Sequence, residues 1–555
     1  MTVDLFKFEY SFCLPKILSL FYPYKIADLK DYLWIGLLVI VMALGSIVLS
    51  TNIGGYSIYL LDEAKNAQCA TEMMESGSWI VPTFNGELRT DKPPLHYYFM
   101  SLAYAFFGVN EFAARFFSVV FGVLTLATVY LFSQRYIGIR SAVFVSLALL
   151  SSIGFTLQFH LAVPDPYLIF LIVIAIFSFY EGYISNKPVW IYSFYIACAL
   201  AMLTKGPIGI IIPGGVAIIF GVIRNGVKLK WIKDLRPHHG LAIFLIITLP
   251  WYLSVGFMTD WAWVKGFFID HNYNRFLNPL EGHGGFFLLP LGYLVVMALP
   301  LGIFSISAIG QAIKGRANDF ILLSLLTVGL ILLIFMISAT KLPNYVSPAL
   351  PFFVILIGNY LSKIKTPHAI EKLLIFILIA FAIILPLLLG YFLDNEDYSN
   401  LLVAGLWSAI PIIFGIMVGG VLILYSKIIP GITVLVLTFI FSVRTAFIEF
   451  VPKMDDLNPV QMVGDYFHEE SNVAGFYIFN PAFRFYLDQP IPVFNQPDQI
   501  VEYLNAQDDA IIITRSNVLS ELYGLNLDTL LIHKNLFEQT TTAVLREKVD
   551  ITVSR

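Results

Sequence analysis

The chain has 555 residues, of which 58% are hydrophobic and 13% charged, and its mean hydropathy is +0.78. So little polar surface cannot cover so much apolar volume in water, which excludes a single soluble globule and makes the bilayer the solvent. A formal charge of -4 leaves no reserve of positive charge for nucleic acid, and three scattered cysteines, Cys13, Cys69 and Cys198, give no disulfide framework or thiolate metal site.

Residues 1–32 mix aromatic, apolar and lysine residues without a small-residue cleavage site, so no removable signal peptide is expected. The first apolar run, roughly 33–52, then acts as its own insertion signal. A long loop, 53–114, follows. It opens with Tyr59-Leu60-Leu61-Asp62-Glu63-Ala64-Lys65-Asn66 and continues as an amphipathic stretch to Glu75-Ser76-Gly77, which predicts a helix resting on the membrane surface. A carboxylate there can take a proton or orient a hydroxyl at the interface. Two acids in a first turn also stabilise a helix N-terminus, and position alone does not choose between these roles. Further on, Pro93 and Pro94 bar a helix and fix Lys92 at the entry to a short apolar run, His96 to Val109. An ammonium so placed either pairs with a lipid phosphate in a partly dry site or snorkels to the headgroups. The run is shorter than the about 20 residues a crossing helix needs, so it is expected to lie at the interface or re-enter.

Runs long enough to cross continue at roughly 115–134, 141–159, 166–185, 189–204, 206–223, 240–256, 285–309, 318–338, 345–363, 371–393, 402–425 and 429–448, about thirteen with the first. His160 and Asp165 occupy a very short link, FHLAVPDPYLIF, at the mouth of two runs, where an ionisable residue is a site candidate. Lys205, in LTKGPIG, tips a tight hairpin, and a snorkelling hinge lysine is its simpler account. The loop 257–284 carries Asp270-His271-Asn272-Tyr273-Asn274-Arg275-Phe276, then Glu281-Gly282-His283-Gly284. Two histidines and a glutamate are ligand types for a divalent metal, but their spacing fits no compact motif, so no cofactor is firmly implied. Lys341 and Tyr345, in TKLPNYVSPALP, open another run with a second proline-framed lysine. Beyond residue 451, VAGFYIF, IPVF, AIIIT and LLIH read as strands, and FRFYL, QIVEYLNA and VLSELYG as short helices. The expected division is a membrane domain, 1–451, and a small α/β domain, 452–555.

Lys and Arg stay on the cytoplasmic side of short loops, so they orient the chain. If 96–109 does not cross, Lys7 to Lys30, Arg135 and Arg140, the cluster Arg224 to Arg236, Lys314 and Arg316, Lys363 to Lys372 and Lys427 all fall inside. If it crossed, the basic loop 224–236 would be exported. The first arrangement places loops 53–114 and 257–284 and the last hundred or so residues outside, and six outer loops bring polar residues to that face.

Several of these pieces resemble one family: LDEAKNAQCATEM, SGSWIVPTFNGELRTDKPPLHYY, NEFAARFFS, VPDPYLIF, LTKGPIG, HNYNRFL with GHGG, and TKLPNYVSPALP. In this order, across roughly residues 55–355, they are similar to bacterial relatives of protein O-mannosyltransferases, most closely the lipid A aminoarabinose transferases. The resemblance implies a GT-C fold in a bacterial inner membrane. It also implies transfer of a sugar, with inversion, from a polyprenyl-phosphate donor to a lipid, glycan or protein acceptor. By the family's pattern Asp62 is the catalytic carboxylate and Asp165 the second acid, and Lys92 binds the carrier phosphate, assisted by Lys341 or Tyr345. Glu63, Lys65, His271 and Glu281 are the remaining substrate-binding candidates. The chain departs from the pattern where Arg-Tyr is expected after Asp-Glu-Ala, having Lys65-Asn66, and where Tyr and Glu are expected before Lys-Pro-Pro, having Arg89 and Asp91. A transporter or flippase of lipid-linked sugars is the rival class; it needs polar groups near the bilayer midplane, whereas these acids sit at the ends of runs.

Overall fold

The computed structural model describes residues 29–227, 230–278, 284–393, 399–467, 471–487, 489–507 and 509–548. Every predicted apolar run is helical there, though not always as one straight span. Among the described residues ten helices are long and apolar enough to cross a membrane, and an eleventh is counted if α5 (Ile139–Leu150) and α6 (Ile153–Phe159), bent by 62°, form one span. The chain is thus a multi-pass membrane protein. The count falls short of thirteen for two reasons. The first helix, α1 (Leu29–Leu49), contributes only a short apolar stretch among the described residues. The run expected at 285–309 is broken into α11 (Leu289–Met297), a 3-10 turn at 301–304 and α12 (Ser305–Lys314). Pro300 stands at that break, where a missing N–H and a ring clash prevent a continuous helix.

The first long loop holds α2 (Leu61–Ser76), the two-residue hairpin strands β1 (Thr83–Phe84) and β2 (Glu87–Leu88), and α3 (Leu95–Phe107). The amphipathic helix expected here is present, but it is not left open to one side. Nearly all of α2 from Glu63 to Met73 is buried, because α3 packs along it and the helix at Ala482–Leu487 covers it from the C-terminal part. After α3 the chain turns at Gly108, and Asn110 caps the long α4 (Glu111–Ile137) by accepting a hydrogen bond from the Ala113 N–H at 2.9 Å.

Two helices that frame the site follow. α7 (Asp165–Ser185) and α8 (Pro188–Lys205) pack as a close antiparallel pair, and α9 (Ile208–Asn225) and α10 (Pro237–Met258) come next. Gly206 ends α8 at φ +81, and a Cβ there would stand 2.4 Å from the ring of Phe267. Both the left-handed backbone and the close ring demand glycine at that corner. α13 (Asp319–Ile337) leads to a 3-10 turn, Pro343–Ala349, and α14 (Leu350–Leu361), the most deeply buried helix of the bundle. α15 (Ala369–Leu393) exposes most of its apolar side chains, as a lipid-facing helix does, and α16 (Ser399–Leu424) and α17 (Ile428–Thr445) complete the bundle.

The C-terminal part carries a five-stranded sheet of order β4-β3-β5-β7-β6. β3 (Val473–Phe476) runs parallel to β4 (Val493–Phe494) and to β5 (Ile511–Arg515), whereas β7 (Thr541–Glu547) is antiparallel to β5 and to β6 (Leu527–Lys534). The four strand segments expected from sequence are all present. VLSELYG forms a 3-10 turn rather than an α-helix, and β7 was not anticipated. One face of the sheet is covered by the helix Pro497–Ala506 and the 3-10 turn, and the other joins the core beneath the first long loop.

Candidate active site

Position 62 is the second residue of α2, and the position beside it serves a different purpose. Successive residues on an α-helix point about 100° apart, so Asp62 and Glu63 leave the helix in different directions. Glu63 turns inward and is 1% exposed. Its carboxylate accepts from Arg115 Nε at 2.8 Å and Nη2 at 3.0 Å, and from the Ala162 N–H at 2.8 Å. Arg115 also donates to the carbonyls of Ile53, Tyr56 and Ser57 and lies over the Tyr56 ring. One buried ion pair therefore ties α2, α4, the turn at 53–57 and the 160–165 link together. Glu63, one of the substrate-binding candidates, is held by Arg115 and Ala162 and does not line the cavity described next.

Asp62 faces a cavity of ≈ 510 Å³. Its polar wall contains Asp91, Lys92, Asp165, Lys205, His271, Arg275 and Tyr345, and its apolar wall includes Leu168, Ile208, Ile211, Phe276, Ile334 and Phe335. The polar residues come from one end of the bundle: Asp165 starts α7, Lys205 ends α8, and Tyr345 lies in the turn that opens α14. The apolar wall leads away among spans whose outer surfaces face lipid, so the cavity is polar at one end and hydrocarbon-like at the other.

The charged groups are interlinked. Lys205 Nζ donates to Asp165 Oδ1 at 2.6 Å and stands 5.7 Å from the Tyr345 ring centre, with Arg275 5.8 Å from the same ring. His271 Nε2 meets Asp91 Oδ1 at 2.9 Å, and Arg89 reaches the other oxygen of Asp91 at 3.5 Å. Burial raises the Asp62 carboxyl, but the field of Lys92, then of Arg89 and Lys205, outweighs it and holds Asp62 below its ordinary value. Burial lowers the Lys92 ammonium, and Asp62 opposes this only in part because Lys205 and Arg275 push the same way as burial. Burial likewise opposes ionisation of Asp91, yet the His271 hydrogen bond and Arg89 keep it below the usual carboxylate range. At neutral pH the cavity thus presents ionised Asp62 and Asp91 opposite a cluster of cations.

Of the residues singled out from sequence, Asp62, Lys92, Asp165, His271 and Tyr345 share this cavity. Glu63 is behind it, Lys65 is half-buried on α2 without lining it, and Lys341 is turned away, donating to the Ser338 carbonyl at 2.7 Å. Glu281 and His283 lie outside the described residues. Among the described residues no group of three or more His, Cys, Asp or Glu side chains gathers to hold a metal ion, and Asp91 and His271 bind each other. Sequence reasoning set Lys205 aside as a hinge and did not single out Arg275. The only available signal for Arg275 was a guanidinium embedded in HNYNRFL, between a polar run and apolar residues.

The model of the dolichyl-phosphate-mannose-protein mannosyltransferase family matches residues 91–253. An undecaprenyl phosphate-alpha-4-amino-4-deoxy-L-arabinose arabinosyl transferase of Edwardsiella ictaluri is 30% identical over 321 residues, covering 56% of this chain and 56% of that protein. A second, of Serratia proteamaculans, is 27% identical over 346 residues, covering 59% of each. An uncharacterised protein of Aquifex aeolicus is 29% identical over 313 residues, 56% of this chain and 61% of its own length. The aligned stretch therefore spans little more than half of these relatives. Among solved structures, ArnT from Cupriavidus metallidurans in the apo state superposes with a TM-score of 0.77 at 20% identity, covering 92% of this chain and 98% of that one. The same protein bound to undecaprenyl phosphate gives a TM-score of 0.76.

Proposed function

We propose that this chain, by sequence and by fold an ArnT-like member of the GT-C glycosyltransferase superfamily, moves a sugar from a polyprenyl-phosphate carrier to a lipid, glycan or protein acceptor. The transfer takes place on the outer face of the membrane and inverts the anomeric carbon. The observation that carries this is the cavity itself, in which a carboxylate faces three cations at the polar end of an apolar passage. A lipid-linked sugar phosphate has the same division: an isoprenoid chain, an anionic phosphate and a hydroxylated ring.

In this scheme the tail lies against Ile208, Ile211, Ile334 and Phe335, and the phosphate meets Lys92, Arg275 and the Tyr345 hydroxyl. As the bond from the anomeric carbon to the phosphate oxygen breaks, negative charge grows on the leaving phosphate, and cations already in place stabilise it without reorganising. A lipid phosphate is a good enough leaving group to need no protonation. Asp62 takes the proton of the incoming acceptor hydroxyl, or steadies positive charge on the ring, and general base action of this kind contributes on the order of 10²–10⁴ in rate. Asp165 keeps Lys205 oriented at the cavity wall.

The deciding experiment supplies purified protein in lipid nanodiscs with labelled polyprenyl-phosphate sugars and candidate acceptors, and follows the label. Label appearing on an acceptor supports transfer. Movement of intact donor between leaflets of proteoliposomes, without transfer to any acceptor, would overturn it in favour of a flippase.

A further inference from the structure

Much of the polar wall of the cavity comes from three stretches of chain that belong to different elements. They are residues 89–92 with Asp91 and Lys92, the end of α8 with Lys205, and the π-helix Gly266–Asn274 with His271, which Arg275 follows directly. Residues 89–92 lie in no helix or strand, so no ladder of backbone hydrogen bonds fixes where Lys92 stands. Cations that receive a phosphate must nevertheless hold their spacing before it arrives.

One aromatic block joins the three stretches. Trp263 is fully buried and does not line the cavity. Its Nε1–H donates to the Arg89 carbonyl at 2.8 Å, and the Arg89 N–H donates to the Pro82 carbonyl at 2.9 Å, so the backbone is held on both sides of a residue three positions before Lys92. The Trp263 ring stacks on Phe267 with centroids 4.8 Å apart and meets Trp251 of α10 edge-on at 4.7 Å. Phe267 in turn fills the corner left by Gly206, the residue after Lys205. The π-helix begins at Gly266, where a Cβ would stand 2.8 Å from Thr90 Oγ1 and 2.9 Å from Thr90 Cβ, so its backbone rests directly on the 89–92 stretch. A buried indole N–H needs an acceptor, and the acceptor here belongs to the segment that carries Lys92.

We propose that Trp263 is a positioning residue for the donor phosphate: through the Arg89 carbonyl and the Phe267 ring it sets the spacing of Lys92, Lys205 and Arg275 before a donor binds. This rests on the transfer reading above and adds to it a residue outside the cavity. Trp263→Phe keeps much of the aromatic packing and removes the N–H, so the 89–92 stretch loses its anchor while the block remains. A residue that only filled the core would affect every ligand of the cavity alike; a positioning residue affects the one that carries the phosphate.

The test compares a polyprenyl phosphate with the polyprenol of the same length as ligands of the purified protein in nanodiscs, with the melting temperature recorded beside them. Wild type is expected to bind the phosphate more tightly than the alcohol. In Trp263→Phe the affinity for the phosphate is expected to fall by about tenfold, while that for the alcohol and the melting temperature stay near wild type. Gly266→Ala, which drives the π-helix against Thr90, is expected to have the same selective effect, and Thr90→Gly added to it to restore phosphate binding. An equal loss for both ligands, or phosphate binding unchanged in both single variants, would overturn the proposal. If Trp263→Phe does not fold, Gly266→Ala and its Thr90→Gly partner decide. Wild type that binds the two ligands alike would remove the phosphate site, and the transfer reading with it.

Discussion

At Asp62 a single carboxylate stands free of direct ion pairing among the described residues, in a cavity whose other acids are engaged. Asp62→Asn keeps the shape and removes the charge, so transfer is expected to fall to background while donor binding and the melting temperature stay near wild type. Activity within a few-fold of wild type would take Asp62 out of the chemistry. Lys92→Ala should weaken donor affinity by about ten- to a hundredfold, the worth of one charge-assisted hydrogen bond, and Lys92→Arg should restore part of it. Because burial and neighbouring cations lower the Lys92 ammonium, it loses its proton at a lower pH than a free lysine does. Donor affinity should therefore decline with rising pH before the ordinary lysine range, and Lys92→Arg should shift that decline upward. A pH titration of binding with both proteins separates this from snorkelling, which would leave the profiles identical. Lys92, Asp165 and Tyr345 were legible because prolines and short links fix where they enter the bundle. Lys205 was not, since a lysine at a hairpin tip reads the same whether it snorkels or faces an acid forty residues earlier.

At the scale of elements, α2 was predicted as a helix and is one, but its surroundings were invisible in the sequence. Its polar residues suggested a wet face, whereas Glu63 and Glu72 are buried against Arg115 and against a hairpin and Arg484. An amphipathic pattern records which residues are polar, not whether a distant element satisfies them. Removing one partner of the Glu63–Arg115 pair leaves a buried charge uncompensated, a loss of about 3–5 kcal/mol. Glu63→Gln and Arg115→Met should each lower the melting temperature markedly in detergent, and both should depress activity through α2 even where folded protein is recovered. Unchanged melting for both variants would mean the pair does not hold the helix. The broken segment 289–314 was missed for a simpler reason: its composition is as apolar as that of an unbroken span, and a proline is tolerated in membrane helices often enough that Pro300 gave no clear stop.

Across the whole molecule the bundle was foreseeable from apolar run length, and the sheet from alternating short β-rich segments, but their mutual contact was not. Lys and Arg sorting predicts the loop 224–236 inside and the loop 257–284 outside. Cysteines introduced at Asn225 and at Tyr273 should accordingly be labelled by impermeant reagents from opposite faces of sealed vesicles. Labelling of both from the same face would overturn the map.

The C-terminal part also reaches back to the segment just ahead of α2. Asp455 accepts from the Ser57 N–H at 2.7 Å, Asn458 donates to the Ser57 hydroxyl at 2.9 Å, and the Tyr486 hydroxyl accepts from the Ile58 N–H at 2.7 Å while donating to Glu111. Ser57 and Asp455 are 398 residues apart in sequence. The loop bearing Asp62 is thus synthesised long before the groups that fix its entry. A nascent chain can therefore have every span ahead of residue 455 in place and still lack the contacts that hold the entry to α2.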